Sequence, residues 1–375
     1  MIFQQWGYSI IGYDVSQWFQ PGKKSYISKA LSLKRVGLKF FRVKYQFYFD
    51  CFYLSEAYNR YLSNKVYERL LHIGCSMFTK TALKETHSFF VNKGRTLKVE
   101  DVLIRHRNIN INFVNKNRCI ILVVATVSAG KSTLINALVG HPFNEMNTGV
   151  CTYRVCKIHN KPIPDGITIK ENGELYYDDD SSFYSSDDAT EVALNFNSTL
   201  STEKVCLIDT PGVNNARDTH HLETTCDAIR NGRYDCVIFI SNGQYNGTND
   251  ERKLLEYLFD CCHRDKPVLF VLNQLDRFKK KEDDIYKMIN NYRHELLSVG
   301  FSAPMIFPIS AQYAYLLRQE SSLDDDEKLE LYYLRKRFSD NYYDLQSYVG
   351  ARSVDELQKS GIINLEKYII KLINR

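Results

Sequence analysis

The sequence predicts an α/β fold: a three-layer arrangement with a mostly parallel central sheet, preceded by an N-terminal, mainly helical region. Three observations carry that expectation. Beyond about Asn115, short β-branched runs alternate with helical stretches, the pattern of strands buried by helices on both faces. The run CIILVVATVSAGKSTLINALVG reads strand, loop, helix in that order. The charge is also unevenly divided. Residues 1–118 hold 20 Lys and Arg against 7 Asp and Glu, whereas the remainder holds 29 against 37. The net charge of +5 thus hides a basic unit joined to an acidic one. The expected division is a basic, aromatic-rich region over 1–112 and a second domain over 113–375.

Composition narrows the class. The chain has 375 residues, 44% apolar and 25% charged. That is enough for a full core without disulfide support, and unlike disordered or fibrous chains. The longest apolar run, Cys119 to Ala125, is too short to span a bilayer. The start, MIFQQWGYSIIGYD, has no basic leader and no apolar stretch before Asp14, so no secretory signal is expected. Ten cysteines show no metal-type CxxC or CxxH spacing. Cys119, Cys206 and Cys236 fall inside apolar runs, as reduced, buried thiols of a cytoplasmic protein would.

The elements follow in order. Apolar positions at Leu54, Tyr58, Leu62, Val66, Leu70, Ile73 and Met77 mark one face of a helix, with Ser55 as its cap and Gly74 weakening its last turn. Residues 1–50 show no clear period. The aromatic, basic surface of this region has three readings: a solvated face, a face for anionic lipid, or an RNA contact that lacks any RNA-binding signature. Strands are expected at Cys119–Ala125, Val205–Asp209, Cys236–Ser241, Val268–Asn273 and Met305–Ser310. A hairpin of Ile167–Lys170 and Leu175–Tyr177 should turn near Asn172-Gly173. The tract DDDSSFYSSDD reads as a solvated loop. A second acidic stretch, SSLDDDEKLE, precedes a helix rich in Leu, Tyr and Arg. Near the end, Ser353 to Glu356 reads as a capping box, Gly361 as a stop, and Leu365, Ile369 and Leu372 as the last amphipathic stripe.

The loop Ala125-Thr126-Val127-Ser128-Ala129-Gly130-Lys131-Ser132 matches a phosphate-binding P-loop, except that Ala125 stands where Gly is usual. The N–H groups of Ser128, Ala129, Gly130, Lys131, Ser132 and Thr133 would wrap phosphates, with the positive end of a helix dipole aimed at them. Lys131 would reach the β- and γ-phosphates, and the Ser132 hydroxyl would sit on Mg²⁺. The strand VCLID ends in Asp209-Thr210-Pro211-Gly212. Its Asp209 lies where ligands bind in such sheets and can hold Mg²⁺ through water, and the Gly212 N–H can sense a γ-phosphate. The strand PVLFVLN ends in Asn273-Gln274-Leu275-Asp276. A carboxylate at Asp276 accepts from guanine N1–H and its exocyclic amine together, a donor pair adenine lacks. Asn273 would tie this loop to the P-loop. Gln274 occupies the usual Lys position and can still lie flat on a ring. The backbone at Ser310 and Ala311, after IFPI, can meet the guanine carbonyl. In PFNEMNTGVCTYRV, Thr152 is the choice for contact with Mg²⁺ and the attacking water, and Thr148 is the alternative.

With these motifs in hand the sequence resembles the dynamin family, and bacterial dynamin-like proteins in particular. The resemblance rests on S-A-G-K-S-T-L-I-N-A-L-V-G, G-V-C-T, D-T-P-G-V-N, N-x-x-D and F-P-I-S-A, in order over roughly residues 115–375. NGTNDERKLLEYL and SGIINLEKYI also fit. The resemblance implies a P-loop GTPase fold, with GTP as substrate, GDP as product and Mg²⁺ as cofactor. It implies catalytic roles for Lys131, Thr152 and Ser128, the last helping to hold a monovalent cation at the β-phosphate. It further implies a homodimer through the GTPase domain and a cytoplasmic protein able to sit on the inner face of an anionic membrane. Nucleic acid is not the expected partner. Two departures stand out. Val127 occupies the position where animal dynamins carry a water-orienting Gln. No long helical stalk follows the GTPase region, and 112 preceding residues are too few for a complete stalk and tip, so the chain is a natural short form or a fragment. A ribosome-assembly-type regulatory GTPase and a non-hydrolysing GTP-binding module are the rival readings.

Overall fold

A computed structural model of the chain describes residues 115–126, 128–143, 155–162, 167–170, 175–177, 191–211, 219–244, 247–262 and 266–374. It also describes a scatter of helical residues between 67 and 113. The expected helix over Leu54–Met77 lies largely outside these; its described members Tyr67, Glu68 and Leu71 are helical. The tract DDDSSFYSSDD and the Asn172-Gly173 turn lie outside the described residues. The chain divides into two compact units. One takes residues 1–116, 162–180 and 191–194, and the other takes 117–161, 181–190 and 195–375.

In the first unit the hairpin strands β3 (Ile167–Lys170) and β4 (Leu175–Tyr177) pair antiparallel, Ile169 opposite Leu175. β3 pairs on its other edge with β5 (Glu191–Leu194), also antiparallel.

The second unit holds β1 (Cys119–Ala125), β2 (Cys156–Asn160), β6 (Val205–Asp209), β7 (Cys236–Asn242), β8 (Val268–Asn273) and β9 (Met305–Pro308). Their order is β2-β6-β1-β7-β8-β9. Every neighbouring pair is parallel except β2 with β6. β1 lies at the centre, and Ile121 to Ala125 are wholly buried. Burial on both sides is why it reads as an unbroken apolar run and not as an alternating one. Two helical groups cover the sheet. α1 (Lys131–Val139) packs against α5 (Ala311–Arg318) and α8 (Ile362–Ile373). α2 (Thr219–Asn231), α3 (Asn249–Cys262) and α4 (Ile285–Val299) pack in succession. Phe270 of β8 meets Tyr292 of α4 and Phe301 edge-on, filling the space under this second group. This is the expected three-layer α/β fold.

The remaining helices are α6 (Asp325–Phe338) and α7 (Glu356–Lys359). Two expected strand boundaries move. β7 runs one residue further, to Asn242, and β9 stops at Pro308. Ser310 leaves the strand because its hydroxyl accepts from Tyr313 N–H and caps α5. The Ser353–Glu356 capping box does not form. Asp355 caps α7 by accepting from Gln358 N–H, and the Ser353 hydroxyl turns instead to the Asp344 carboxylate at 2.6 Å. A true capping box starts α6, between Asp324 and Glu327. Gly361 does stop α7, at φ 82°, and a Cβ there would stand 2.1 Å from the Pro308 carbonyl oxygen. The buried stripe of α8 is Ile362, Leu365, Ile369 and Ile373, so Ile373 closes it where Leu372 was expected.

Candidate functional site

β1 delivers the chain to the loop in extended backbone, with Ala125 outside the positive-φ region. Ala can therefore stand where Gly is usual. The strain falls later, on Ser128 at φ 62° and Gly130 at φ 84°. Only Gly fits the second place, because a Cβ there would lie 2.4 Å from the Asn273 side-chain nitrogen. α1 then begins at Lys131 without a side-chain cap and without an acidic residue in its first turn. Its leading N–H groups are left for an anion.

Lys131 Nζ and the Asp209 carboxylate form an ion pair, at 9% and 1% exposure. The end of β6 is fixed beside them. Thr210 Oγ1 donates to the Val123 carbonyl of β1 at 2.8 Å, and Thr225 Oγ1 of α2 donates to the Pro211 carbonyl at 3.0 Å. Asp209, Thr210 and Lys131 are thus one buried polar group at the carboxyl ends of the central strands.

On the other side of the P-loop, Asn273 ends β8 and joins three loops. Its Nδ2 donates to the Ala129 carbonyl at 3.0 Å, and its Oδ1 accepts from Ala311 N–H at 3.0 Å. Gln274 follows in left-handed backbone at φ 64°, and its Nε2 donates to the Ser128 carbonyl at 2.7 Å. Asn242 Nδ2 donates to the same oxygen at 3.2 Å. Asp276 sits in the short 3-10 turn Leu275–Arg277, buried, with Arg337 of α6 donating to its backbone carbonyl. Burial pushes its carboxyl above the ordinary range, while a hydrogen bond from Ser310 pulls the other way. A cleft of about 280 Å³ runs between these groups, lined by Gly130, Thr133, Asn273, Gln274, Asp276 and Arg277. Gln312 and Glu330 complete its wall and pair with each other at 3.0 Å.

The structure therefore brings Ser128, Ala129, Gly130, Lys131, Ser132, Thr133 and Asp209 into one loop and strand end. Asn273, Asp276, Ser310 and Ala311 flank the adjoining cleft. Val127, Thr148, Thr152 and Gly212 lie outside the described residues. A hydroxyl at Ser132 and a carboxylate at Asp209 are the hard oxygen donors that suit Mg²⁺. Asn242, Thr210 and Arg337 were not foreseen. Asn242 had a readable signal, since it stands in register with Asn273 at the end of the neighbouring parallel strand. Arg337 had none, being 61 residues away in sequence from the carbonyl it holds.

Residues 121–275 match the model of the Dynamin family. An uncharacterized protein in the xynA 3' region of Caldicellulosiruptor sp. (strain Rt8B.4) is 25% identical over 214 residues, which is 54% of this chain and 51% of that protein. The chain spans about half the length of that relative. Among solved structures, one member of an oligomerised bacterial dynamin pair, described as sensing and tethering membranes, aligns with TM-score 0.45 and 15% identity. The alignment covers 92% of this chain and 59% of that one. Era, in complex with MgGDPNP and 16S ribosomal RNA nucleotides, aligns with TM-score 0.34 and 17% identity over 59% of this chain and 57% of that one. Toc33 from Arabidopsis thaliana, with Mg²⁺ and GMPPNP, aligns with TM-score 0.39 and 13% identity over 71% and 92%. Among the described residues no helix is long and apolar enough to cross a membrane.

Proposed function

We propose, on the match of residues 121–275 to the Dynamin family model, that the protein binds GTP and hydrolyses it to GDP and phosphate. The observation that carries this is the Asn273 junction. One side chain locks the P-loop at Ala129 and the Ser310–Ala311 loop at Ala311, beside the buried carboxyl of Asp276. This supports reading the two loops as a phosphate cradle and a guanine reader, with the cleft between them.

In this reading Asp276 accepts the guanine N1–H and amine, and the Ser310–Ala311 loop borders the base, its Ala311 N–H held by Asn273 Oδ1. Gln274 covers the ring. The N–H groups from Ser128 to Thr133 take the phosphate oxygens, and Lys131 neutralises the charge that grows on the β–γ bridge. To do so Lys131 exchanges part of its contact with Asp209 for the substrate. Ser132 and Asp209 would hold Mg²⁺, together with Thr152. The ion supplies charge neutralisation at the β- and γ-oxygens when bound. Thr152 and backbone groups orient the attacking water, since Val127 has no polar side chain to do it. Ser128 would help hold a monovalent cation. The protein's contribution is positioning and charge, with water attacking the γ-phosphorus in line and the β–γ bridging oxygen leaving. Self-association through the GTPase domain and attachment to an anionic membrane through the basic residues 1–112 complete the proposal.

A single-turnover assay with purified protein, Mg²⁺ and either K⁺ or Na⁺, repeated over a range of protein concentrations, tests this. GDP and phosphate should form, and Lys131→Ala should abolish nucleotide binding. Binding of ATP as tight as GTP would refute the guanine reading, and binding without turnover would leave a GTP-binding module.

A further inference from the structure

We propose that the outer face of α6 is a self-complementary docking surface, and that its occupant is the same helix of a second copy of this chain, lying antiparallel across a two-fold axis. This names the surface for the self-association proposed above and rests on that part of the reading alone, not on GTP hydrolysis.

The inner face of α6 is accounted for. Leu331, Leu334 and Phe338 are buried, and Phe338 stacks on Tyr313 of α5 with ring centroids 4.2 Å apart. The outer face is unusual for a surface helix. Leu329, Tyr332 and Tyr333 are 53%, 60% and 60% exposed. Their spacing of three and four places them on one stripe, and the two tyrosine rings meet edge-on at 5.7 Å. Single exposed apolar residues need no explanation, but three large ones on one helix face do.

Charge along the same stripe identifies the partner. The first turn of α6 is acidic, with Asp325, Asp326 and Glu327, and the last is basic, with Arg335, Lys336 and Arg337. Two of the basic residues are engaged within the fold. Arg335 is forked onto Glu320 and Glu356, and Arg337 holds the Asp276 carbonyl. Lys336 is exposed and continues the stripe outward from Tyr332 and Tyr333, as Asp326 and Asp325, the latter paired with Lys328 at 3.2 Å, continue it from Leu329. The order along the face is therefore acid, leucine, two tyrosines, base. The ten steps from Asp326 to Lys336 span about 15 Å. An antiparallel copy sets each acidic end on the other's Lys336 and packs the tyrosines against each other at the middle. A parallel copy would oppose like charges. A surface that complements itself on reversal is what a two-fold, isologous contact requires. One helix face is smaller than a standard stable interface, so the association is weak and salt-sensitive by itself.

The test is a charge-reversal exchange on the full chain, read by sedimentation velocity over a range of protein concentrations at low salt. The wild type should dimerise reversibly. Asp326→Lys alone opposes two lysines at both ends of the contact, and Lys336→Glu alone opposes acids at both ends. Each should weaken dimerisation about tenfold or more. Mixed one to one, the two variants present an attractive pair at each end and should associate with each other as the wild type does with itself. Tyr332→Ala with Tyr333→Ala should abolish association. All variants should bind fluorescent GTP with wild-type affinity, which separates loss of this surface from failure of the nucleotide reading. A wild type that stays monomeric, single reversals that dimerise normally, or a mixture that does not associate would each overturn the second copy as occupant.

Discussion

The side-chain amide of Gln274 donates to the carbonyl of Ser128 at 2.7 Å, and Asn242 donates to the same oxygen from the neighbouring strand. Both Gln274 and Ser128 sit in left-handed backbone. The two amides thus hold a strained peptide that no regular element supports, and that peptide sets the direction of the next N–H groups in the loop. Removing one neutral hydrogen bond costs about 1 kcal/mol, or about fivefold in affinity. Gln274→Ala should weaken GTP binding by about that factor, and adding Asn242→Ala should weaken it further. Gln274→Lys should bind nearly as well as the wild type, because an ammonium can reach the same carbonyl. Titration with a fluorescent GTP analogue measures all three.

In the proposed reading Asp276 carries the choice of base. Asp276→Asn replaces a two-fold acceptor with a group that also donates, so affinity for GTP should fall by more than tenfold while affinity for xanthosine triphosphate rises. The same carboxyl gives a pH dependence. Burial raises its pKa, so its charged, guanine-accepting form is lost on acidification at a higher pH than for an ordinary aspartate. GTP affinity should therefore decline as pH falls through the mildly acidic range, and Asp276→Asn should remove that decline. Calorimetric titrations at stepped pH check both. A wild-type affinity flat down to the ordinary aspartate pKa would contradict the assignment.

Much of this site was readable in the sequence, for a physical reason. Phosphate and guanine recognition use backbone N–H groups and a few side chains that must follow strand ends directly, so Lys131, Asp209, Asn273 and Asp276 occupy short, ordered motifs. The parallel strands were equally legible, since burial on both faces leaves runs such as Val268–Asn273 with no polar break. What could not be read were contacts between elements far apart in sequence. Arg337 reaching Asp276 depends on where α6 packs. The start of α7 differs from the expectation for a local reason: Ser353 and Asp355 are both competent caps, and Asp344, brought near by the fold, takes the serine.

Arg318 offers a test of how the cradle is held from behind. Its guanidinium pairs with Glu366 of α8 at 2.7 Å and also donates to the Ala137 carbonyl in the last turn of α1. Gln319 donates to the Gly140 carbonyl at 2.6 Å just beyond. A cation at a helix C-terminus complements the dipole whose other end is proposed to meet the phosphates. Arg318 and Glu366 are 5% and 0% exposed, so removing one leaves the other charge buried. Glu366→Ala should cost about 3–5 kcal/mol in a urea melt. Arg318→Met with Glu366→Leu should cost less than either single change, since no charge is then stranded.

Glu251 predicts the pH profile of the fold itself. It lies in the first turn of α3, 1% exposed, and accepts from Gly247 N–H at 2.9 Å. Desolvation raises its pKa from 4.5 to about 7; Ser241 and the Gly247 N–H oppose the rise, and Glu295 adds to it. Between those two values the folded protein holds a proton that the unfolded chain has released. Stability must then fall as pH rises through that window, and level off above it. A shift of this size corresponds to about 3 kcal/mol across the window. Glu251→Gln keeps an acceptor for Gly247 but has no proton to lose. Its melts should show a flatter profile from pH 4.5 to 7 and greater stability than the wild type at pH 8. Parallel wild-type and mutant profiles would mean that the carboxyl remains charged throughout and is compensated by groups other than Ser241 and Gly247.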